Sequence, residues 1–180
     1  SSLSSDLSTW AFETRLYIDQ TIALHTFAHL GGVVASLVGN GIRVSLNGTE
    51  HHGATKATVK LNAWHHIALV SINSKLRVYL DGALVIDAID ISGAPLTQLI
   101  YIGGSPAYAS FNGYLDEVRL SVRKGRYLTA PFTPPATPFR IGRVINATAV
   151  VDKSKNAGAM TIGGNALVTA VDETDEKVMA

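Results

Sequence analysis

The chain is a series of short runs with a two-residue period, each cut off by a turn signal. That pattern admits pleated sheets and little else. In "WAFETRLYI", Trp10, Phe12, Thr14, Leu16 and Ile18 fall on one face. "VVASLV" and "IRVSLN" flank Gly39–Gly41 and read as a hairpin. "KLRVYL" and "ALVI" flank Asp81–Gly82, a two-residue loop that favours a type I′ turn because both central residues need positive φ. That turn pairs Leu80 with Ala83 and Val78 with Val85 on one face, and sets Tyr79 opposite Leu84 on the other. No segment shows a long, capped 3.6-residue period; Thr21–Leu30 reads as a short helix or as a strand. The expected class is all-β, a sandwich or barrel.

The bulk numbers fit one domain with a sizeable core: 180 residues, 47% of them hydrophobic. Charged residues make up 16%, below the ~25% usual for soluble domains. Such a surface suits a chain that sits in an assembly. The net charge of +1 and the lack of a basic stripe point away from nucleic acid. "RKGR" at Arg123–Arg126 reads as a solvated turn. With no cysteine, disulfides and thiolate zinc sites are ruled out, which fits a reducing compartment. No apolar run reaches the ~20 residues of a membrane-spanning helix, so membrane insertion is not expected. The opening "SSLSSDLSTW" lacks the basic and apolar regions of a signal peptide. It also lacks an initiator Met, which fits a processed chain or a fragment.

Four of the six prolines lie in "APFTPPATPF", residues 130–139. Proline donates no N–H to a ladder, so this stretch should be extended and largely unpaired. It marks a boundary between a domain at 1–139 and an extension at 140–180. In the extension, "GRVINATAVV" and "AMTIGGNALVTAV" look like strands too few to build their own core. They must pack on the main domain or on another chain. The acidic end "DETDEKVMA" is expected to be exposed.

Chemistry-bearing residues are sparse. "WHHIALV" places Trp64, His66, Ala68 and Val70 on one face of a strand, and His65, Ile67 and Leu69 on the other. Both faces are mostly apolar, so the strand is expected to be covered on both sides and its imidazoles to be structural. His25 and His29 have the spacing of a helical metal pair, but Thr26 stands where a zinc protease carries Glu. "EHHG", Glu50–Gly53, reads as a loop that offers three ligands without fixed geometry. No metal site or cofactor is expected. In "NGYLDEVRLSV", alternation puts Tyr114, Asp116, Val118, Leu120 and Val122 on one face. Leu115, Glu117, Arg119 and Ser121 take the other. Asp116 and Glu117 therefore diverge, whereas a glycosidase pair must converge on one bond at ~5–10 Å. Asn47 and Asn146 begin glycosylation sequons, which matter only in a secreted eukaryotic protein. "YIGGSPAY" ends a strand at Gly103–Gly104. There Tyr101 and Tyr108, with the nearby Asn112, are the candidate ligand contacts.

Taken in order, "FETRLYI", "WHHIALV", "KLRVYLDGALV", "LIYIGG", "FNGYLDEVRL" and "GRYLTAPFTPP" resemble the laminin-G-like, concanavalin-A-like jelly-roll superfamily. The resemblance covers residues 8–139. The closing "KGRYLTAPFTPPATPF" is most similar to versions in bacteriophage tail-fibre and other virion proteins. The resemblance implies a jelly-roll sandwich of two antiparallel sheets. It assigns fold-defining roles to Trp64, His65, His66, Tyr79, Asp81, Gly82, Gly113, Asp116, Glu117, Val118 and Arg119. Some relatives use calcium, but no residue series here carries a calcium site over, and the acidic row of the superfamily's enzymes is missing. The implied function is a non-enzymatic virion module of a tail fibre or a capsid or tail decoration protein. It would be assembled in the host cytoplasm and present a lectin-like surface to host glycan or protein. Its partners would be other virion proteins and copies of itself, with residues 140–180 adding strands between subunits. The alternatives are a carbohydrate-binding module of a bacterial secreted or cell-surface protein, and third a glycosidase using Asp116 or Glu117.

Overall fold

The computed structural model describes residues 8–53, 58–94, 96, 100–123, 125–127, 131–136 and 150–152; for Ile22 and for 150–152 it describes the backbone alone. The expectations placed on 1–7, 137–149 and 153–180, the Asn146 sequon among them, lie outside these residues. The strands are β1 (Trp10–Tyr17), β2 (Ile22–Leu30), β3 (Val33–Gly39), β4 (Gly41–Leu46), β5 (Thr49–His52), β6 (Trp64–Ile72), β7 (Lys75–Leu80), β8 (Ala83–Asp90), β9 (Ile100–Ile102), β10 (Tyr114–Val122) and β11 (Val150–Asp152). They form a five-stranded sheet, β10-β1-β6-β7-β8, and a six-stranded sheet, β11-β9-β2-β3-β4-β5. All neighbours are antiparallel except β11, which runs parallel to β9. The architecture is the expected two-sheet jelly-roll sandwich.

Alternation explains why the sheets stack. Trp10, Phe12, Leu16 and Ile18 of the β1 run, Ile67 and Leu69 of β6, and Leu76 and Val78 of β7 turn inward from one sheet. Phe27 and Leu30 of β2, Val33, Ala35 and Leu37 of β3, and Ile42 and Val44 of β4 meet them from the other. Each of these side chains is at most 2% exposed. The Asp81–Gly82 hairpin forms with φ of 50° and 82° at its two central residues, as a type I′ turn requires. Leu80 pairs with Ala83 and Tyr79 with Leu84, but a bulge then moves Val78 onto Ile86 instead of Val85.

Two other expectations, in β5 and β10, are corrected. Of the two readings open for Thr21–Leu30 the strand holds, at Ile22–Leu30, because its apolar residues belong to the sheet core. Its register shifts between Thr26 and Ala28, so the spacing of His25 and His29 is not that of one helical face. "EHH" is the edge strand β5, not a loop. In β10, a bulge opposite Thr14 carries Glu117 at φ 51°. One extra residue reverses the alternation beyond it. Tyr114 and Asp116 share the outer register with Arg119 and Ser121, while Leu115, Leu120 and Val122 pack against the core.

The outer face of the five-stranded sheet is covered in part by the chain's own later residues. Tyr127 and Phe132 lie on Ala11, Ala68, Val70 and Tyr79. Their rings stack at 3.7 Å and 6°, and Phe132 meets Tyr79 edge-on at 5.3 Å. The proline-rich stretch is sparsely bonded, with two described anchors: Phe132 N–H donates to Gly82 O at 3.0 Å, and Arg15 Nη2 to Pro135 O at 2.6 Å. Gly82 leaves room for it, since a Cβ there would fall on the Phe132 carbonyl. We call residues 125–127 and 131–136 the clasp. No helix of the described residues is long and apolar enough to cross a membrane.

Candidate functional site

The described surface gathers two of the three expected contact residues. Tyr101 of β9 sits opposite His29 of β2, while the flanking Ile100 and Ile102 pack toward the core. Tyr101 and His29 therefore share the outer face of the six-stranded sheet. After β9, Gly103 and Gly104 turn the chain at φ of 77° and 133°. Ser105 and Tyr108 then close a tight bridge around Pro106–Ala107, with Tyr108 N–H donating to Ser105 O at 3.2 Å. The bridge folds Tyr108 back onto His29, ring centroids 5.2 Å apart and edge-on, while His29 stacks on Tyr101 at 5.7 Å.

Two polar atoms in this region, His29 Nδ1 and Ser105 Oγ, are buried without a hydrogen-bond partner in the protein. Leaving such an atom unsatisfied costs about 1–3 kcal/mol. Asn112 is placed differently. Its backbone N–H donates to His25 Nδ1 at 3.2 Å, and its described contact is with the core, not with the tyrosines. His25 is fully buried against Phe111. Burial pushes its pKa below the ordinary histidine value, against the opposing charge of Asp19, so the ring stays neutral.

The two histidines of "WHH" have separate structural tasks. His65 Nε2 accepts Lys60 N–H at 3.1 Å, so its proton is on Nδ1, which donates to Asp81 Oδ2 at 2.6 Å. Asp81 Oδ1 also accepts His66 N–H at 2.9 Å. Both ring nitrogens of His65 are occupied, so this His–Asp pair braces the hairpin and offers no base to a substrate. His66 points to the opposite face, where its Nε2 lies 3.4 Å from Glu13 Oε1. Glu13 is fully buried. Arg119 donates to its Oε2 through Nε at 2.8 Å, with Nη2 at 2.7 Å, and Tyr127 OH donates to Oε1. Arg126 lies 3.6 Å from the same carboxylate and donates to Ser121 Oγ at 2.9 Å. Arg126 is thus not the solvated turn residue its sequence context suggested.

Burial alone would raise the Glu13 pKa. The His66, Tyr127 and Arg119 contacts outweigh it and hold the carboxyl below the ordinary value. Burial, reinforced by Glu13, pushes the Tyr127 phenol well up, and burial raises Tyr79. This network centres on a fully buried carboxylate and ties the clasp to β1 and β10. Asp116 caps Glu117 N–H at 2.8 Å, Arg43 holds Glu50, and Lys75 and Arg77 hold Asp90 and Asp87. Among the described residues no group of three or more His, Asp or Glu could hold a metal ion.

Residues 7–130 match the family model described as the concanavalin A-like lectin/glucanases superfamily. The chain belongs to that superfamily. Proteins of known structure share its fold. One is a candidate carbohydrate binding protein from Bacteroides ovatus, at TM-score 0.52 and 20% identity over 69% of this chain. Another is domain 4 of AbnA, an extracellular arabinanase from Geobacillus stearothermophilus, in complex with arabinotriose, at 0.50 and 18% over 68%. This concanavalin A-like chain spans 40% and 64% of their lengths, less than two thirds of either. No sequence among the curated proteins matches it.

His29 and Ser105 were not singled out as contacts from sequence. Their role depends on a β2 bulge and a tight turn, and residue type signals neither. The Ser-Pro dipeptide that opens the turn was the one available hint.

Proposed function

We propose that this concanavalin A-like domain is a non-enzymatic glycan-binding module carried on a virion, in a tail fibre or as a decoration protein. The observation that carries glycan binding is the Tyr101–His29–Tyr108 ring cluster on the outer face of the six-stranded sheet. A sugar ring offers C–H groups to aromatic faces, the contact such a cluster can make. The contact area is small and affinity at one site is modest; many copies on a particle raise it by avidity. Engagement of Asp81, Asp116 and Glu13 in structural bonds supports a binding rather than a cleaving role. The virion assignment rests on the resemblance of the closing segment to phage proteins. Residues 140–180 are proposed to join the module to its own copies or to the particle. Within the chain, 150–152 adds a parallel strand to β9, so strand addition is a pairing mode this extension already uses.

The test is a glycan array probed with the full chain, followed by calorimetry on any hit. Tyr108→Ala and His29→Ala should each weaken binding roughly tenfold, the equivalent of one lost aromatic contact. Unchanged affinity in both variants overturns the site, and release of free sugar favours the glycosidase reading. Mass spectrometry of purified phage particles tests the virion half. A second reading, a carbohydrate-binding module of a bacterial secreted or surface protein, is favoured by the Bacteroides and arabinanase-domain likenesses. Absence of the chain from particles would select it.

A further inference from the structure

The clasp leaves one part of the outer five-stranded face open, and that part is aromatic. Tyr17 at the end of β1 pairs with Trp64 of β6 on one side and with Tyr114 of β10 on the other. The three rings form a continuous row, with centroids 5.6 Å and 5.7 Å apart. Trp64 is 47% exposed and Tyr114 40%. These are large values for side chains that a sheet core would otherwise claim. Polar groups border the row. Tyr17 OH donates to Asn62 Oδ1 at 3.3 Å, which leaves the Asn62 amide N–H groups to donate outward. The next register line carries Arg15 and the exposed Asp116. Asp116 uses Oδ1 to cap Glu117, and its second oxygen remains to accept.

We propose that Trp64, Tyr17 and Tyr114 form a second glycan subsite, on the opposite face of the sandwich from Tyr101 and Tyr108. It would take a neutral pyranose oligosaccharide laid across β6, β1 and β10. Two observations set the occupant. The rings expose roughly 200–300 Å² between them, scaled from the area an aromatic side chain buries, far below the ~800 Å² a stable protein partner covers. The row also spans two strand spacings, about 10 Å, with amide and carboxylate groups at its edge. Weakly polar C–H faces flanked by hydroxyls fit that floor and rim. The site stands apart from the Tyr101–His29–Tyr108 reading and survives its failure.

The chain's own fluorescence reports on it. There are two tryptophans, and Trp10 is fully buried, so a ligand-dependent emission change belongs to Trp64. The full chain is titrated with cellotetraose, chitotetraose and maltotetraose to about 10 mM, ten times a 1 mM dissociation constant. At least one should give a saturable emission change and protect Trp64 from acrylamide quenching. Tyr114→Ala keeps the fluorophore and should weaken that response about tenfold or more. Tyr108→Ala should leave it intact, which separates this site from the first. Trp64→Ala, read by calorimetry and checked for folding by its melting curve, should lose the same binding. Emission that no oligosaccharide moves, or a response abolished by Tyr108→Ala and untouched by Tyr114→Ala, overturns the proposal.

Discussion

Replacing Gly82 by alanine should cost far more than replacing Gly48, although both glycines sit in hairpins at nearly the same φ, +82° and +89°. The left-handed conformation penalises a Cβ by about 1–2 kcal/mol at either place, and the stiffer unfolded chain returns a few tenths. At Gly48 nothing lies within 4 Å of the new Cβ, so the net cost should stay near 1 kcal/mol. At Gly82 the Cβ lands on the Phe132 carbonyl and comes within 2.8 Å of its carbon. Backbone must move, and the clasp is the part free to do so. The Phe132 N–H bond to Gly82 O then goes, worth about 1 kcal/mol, and so do ring contacts with Tyr127 and Tyr79 at about 0.5–1.5 kcal/mol each. The expected loss is about 3–5 kcal/mol, a large part of a typical domain's stability. Urea unfolding of both variants measures it. In a Phe132→Ala background, where the clasp is already loosened, the Gly82→Ala penalty should shrink toward the Gly48 value. Equal destabilisation by Gly82→Ala and Gly48→Ala in the parent protein would refute the claim that the clasp is what Gly82 accommodates.

The buried charge gives a pH signature. The Glu13 carboxyl is held below its ordinary value, so it contributes stability above the unfolded carboxylate pKa of 4.5, and that contribution fades as pH falls through the folded value. Glu13→Gln should destabilise by about 3–5 kcal/mol at neutral pH, because Arg119 loses its buried partner, and should flatten the acid limb of the stability curve; a limb as steep as the parent's contradicts this. Spectrophotometric titration should find Tyr79 and Tyr127 un-ionised beyond the usual phenol range, and Tyr127→Phe should remove one of these late transitions. His65→Leu fills the same space but strips partners from Lys60 N–H and Asp81; a loss of about 2 kcal/mol in denaturant melts is expected, and a neutral result would show that His65 braces nothing.

Period and turn chemistry made most of the sandwich legible. The inward row of β1 and the Asp81–Gly82 hairpin needed only alternation and two residues suited to positive φ. Legibility stopped where one extra residue entered a strand. Nothing about Glu117 announces a left-handed backbone, yet that bulge decides that Leu120 faces the core and Arg119 faces Glu13. The register shift beside Phe27 had the same effect on His25 and His29. Of the candidate site, Tyr101 and Tyr108 were readable as aromatics beside a glycine turn. His29 was not, because its neighbour across the ladder is set by pairing between strands far apart in sequence. The Trp64–Tyr17–Tyr114 row escaped for the same reason: the three rings come from distant segments and meet through register alone.

The superfamily match stops at residue 130, but Phe132 and Pro135 hold down the last covering layer. A recombinant fragment trimmed to the match would present Ala68, Val70 and Tyr79 to solvent and tend to self-associate. One extended through residue 136 keeps its lid. During synthesis, too, this surface stays uncovered until residues 131–136 leave the ribosome.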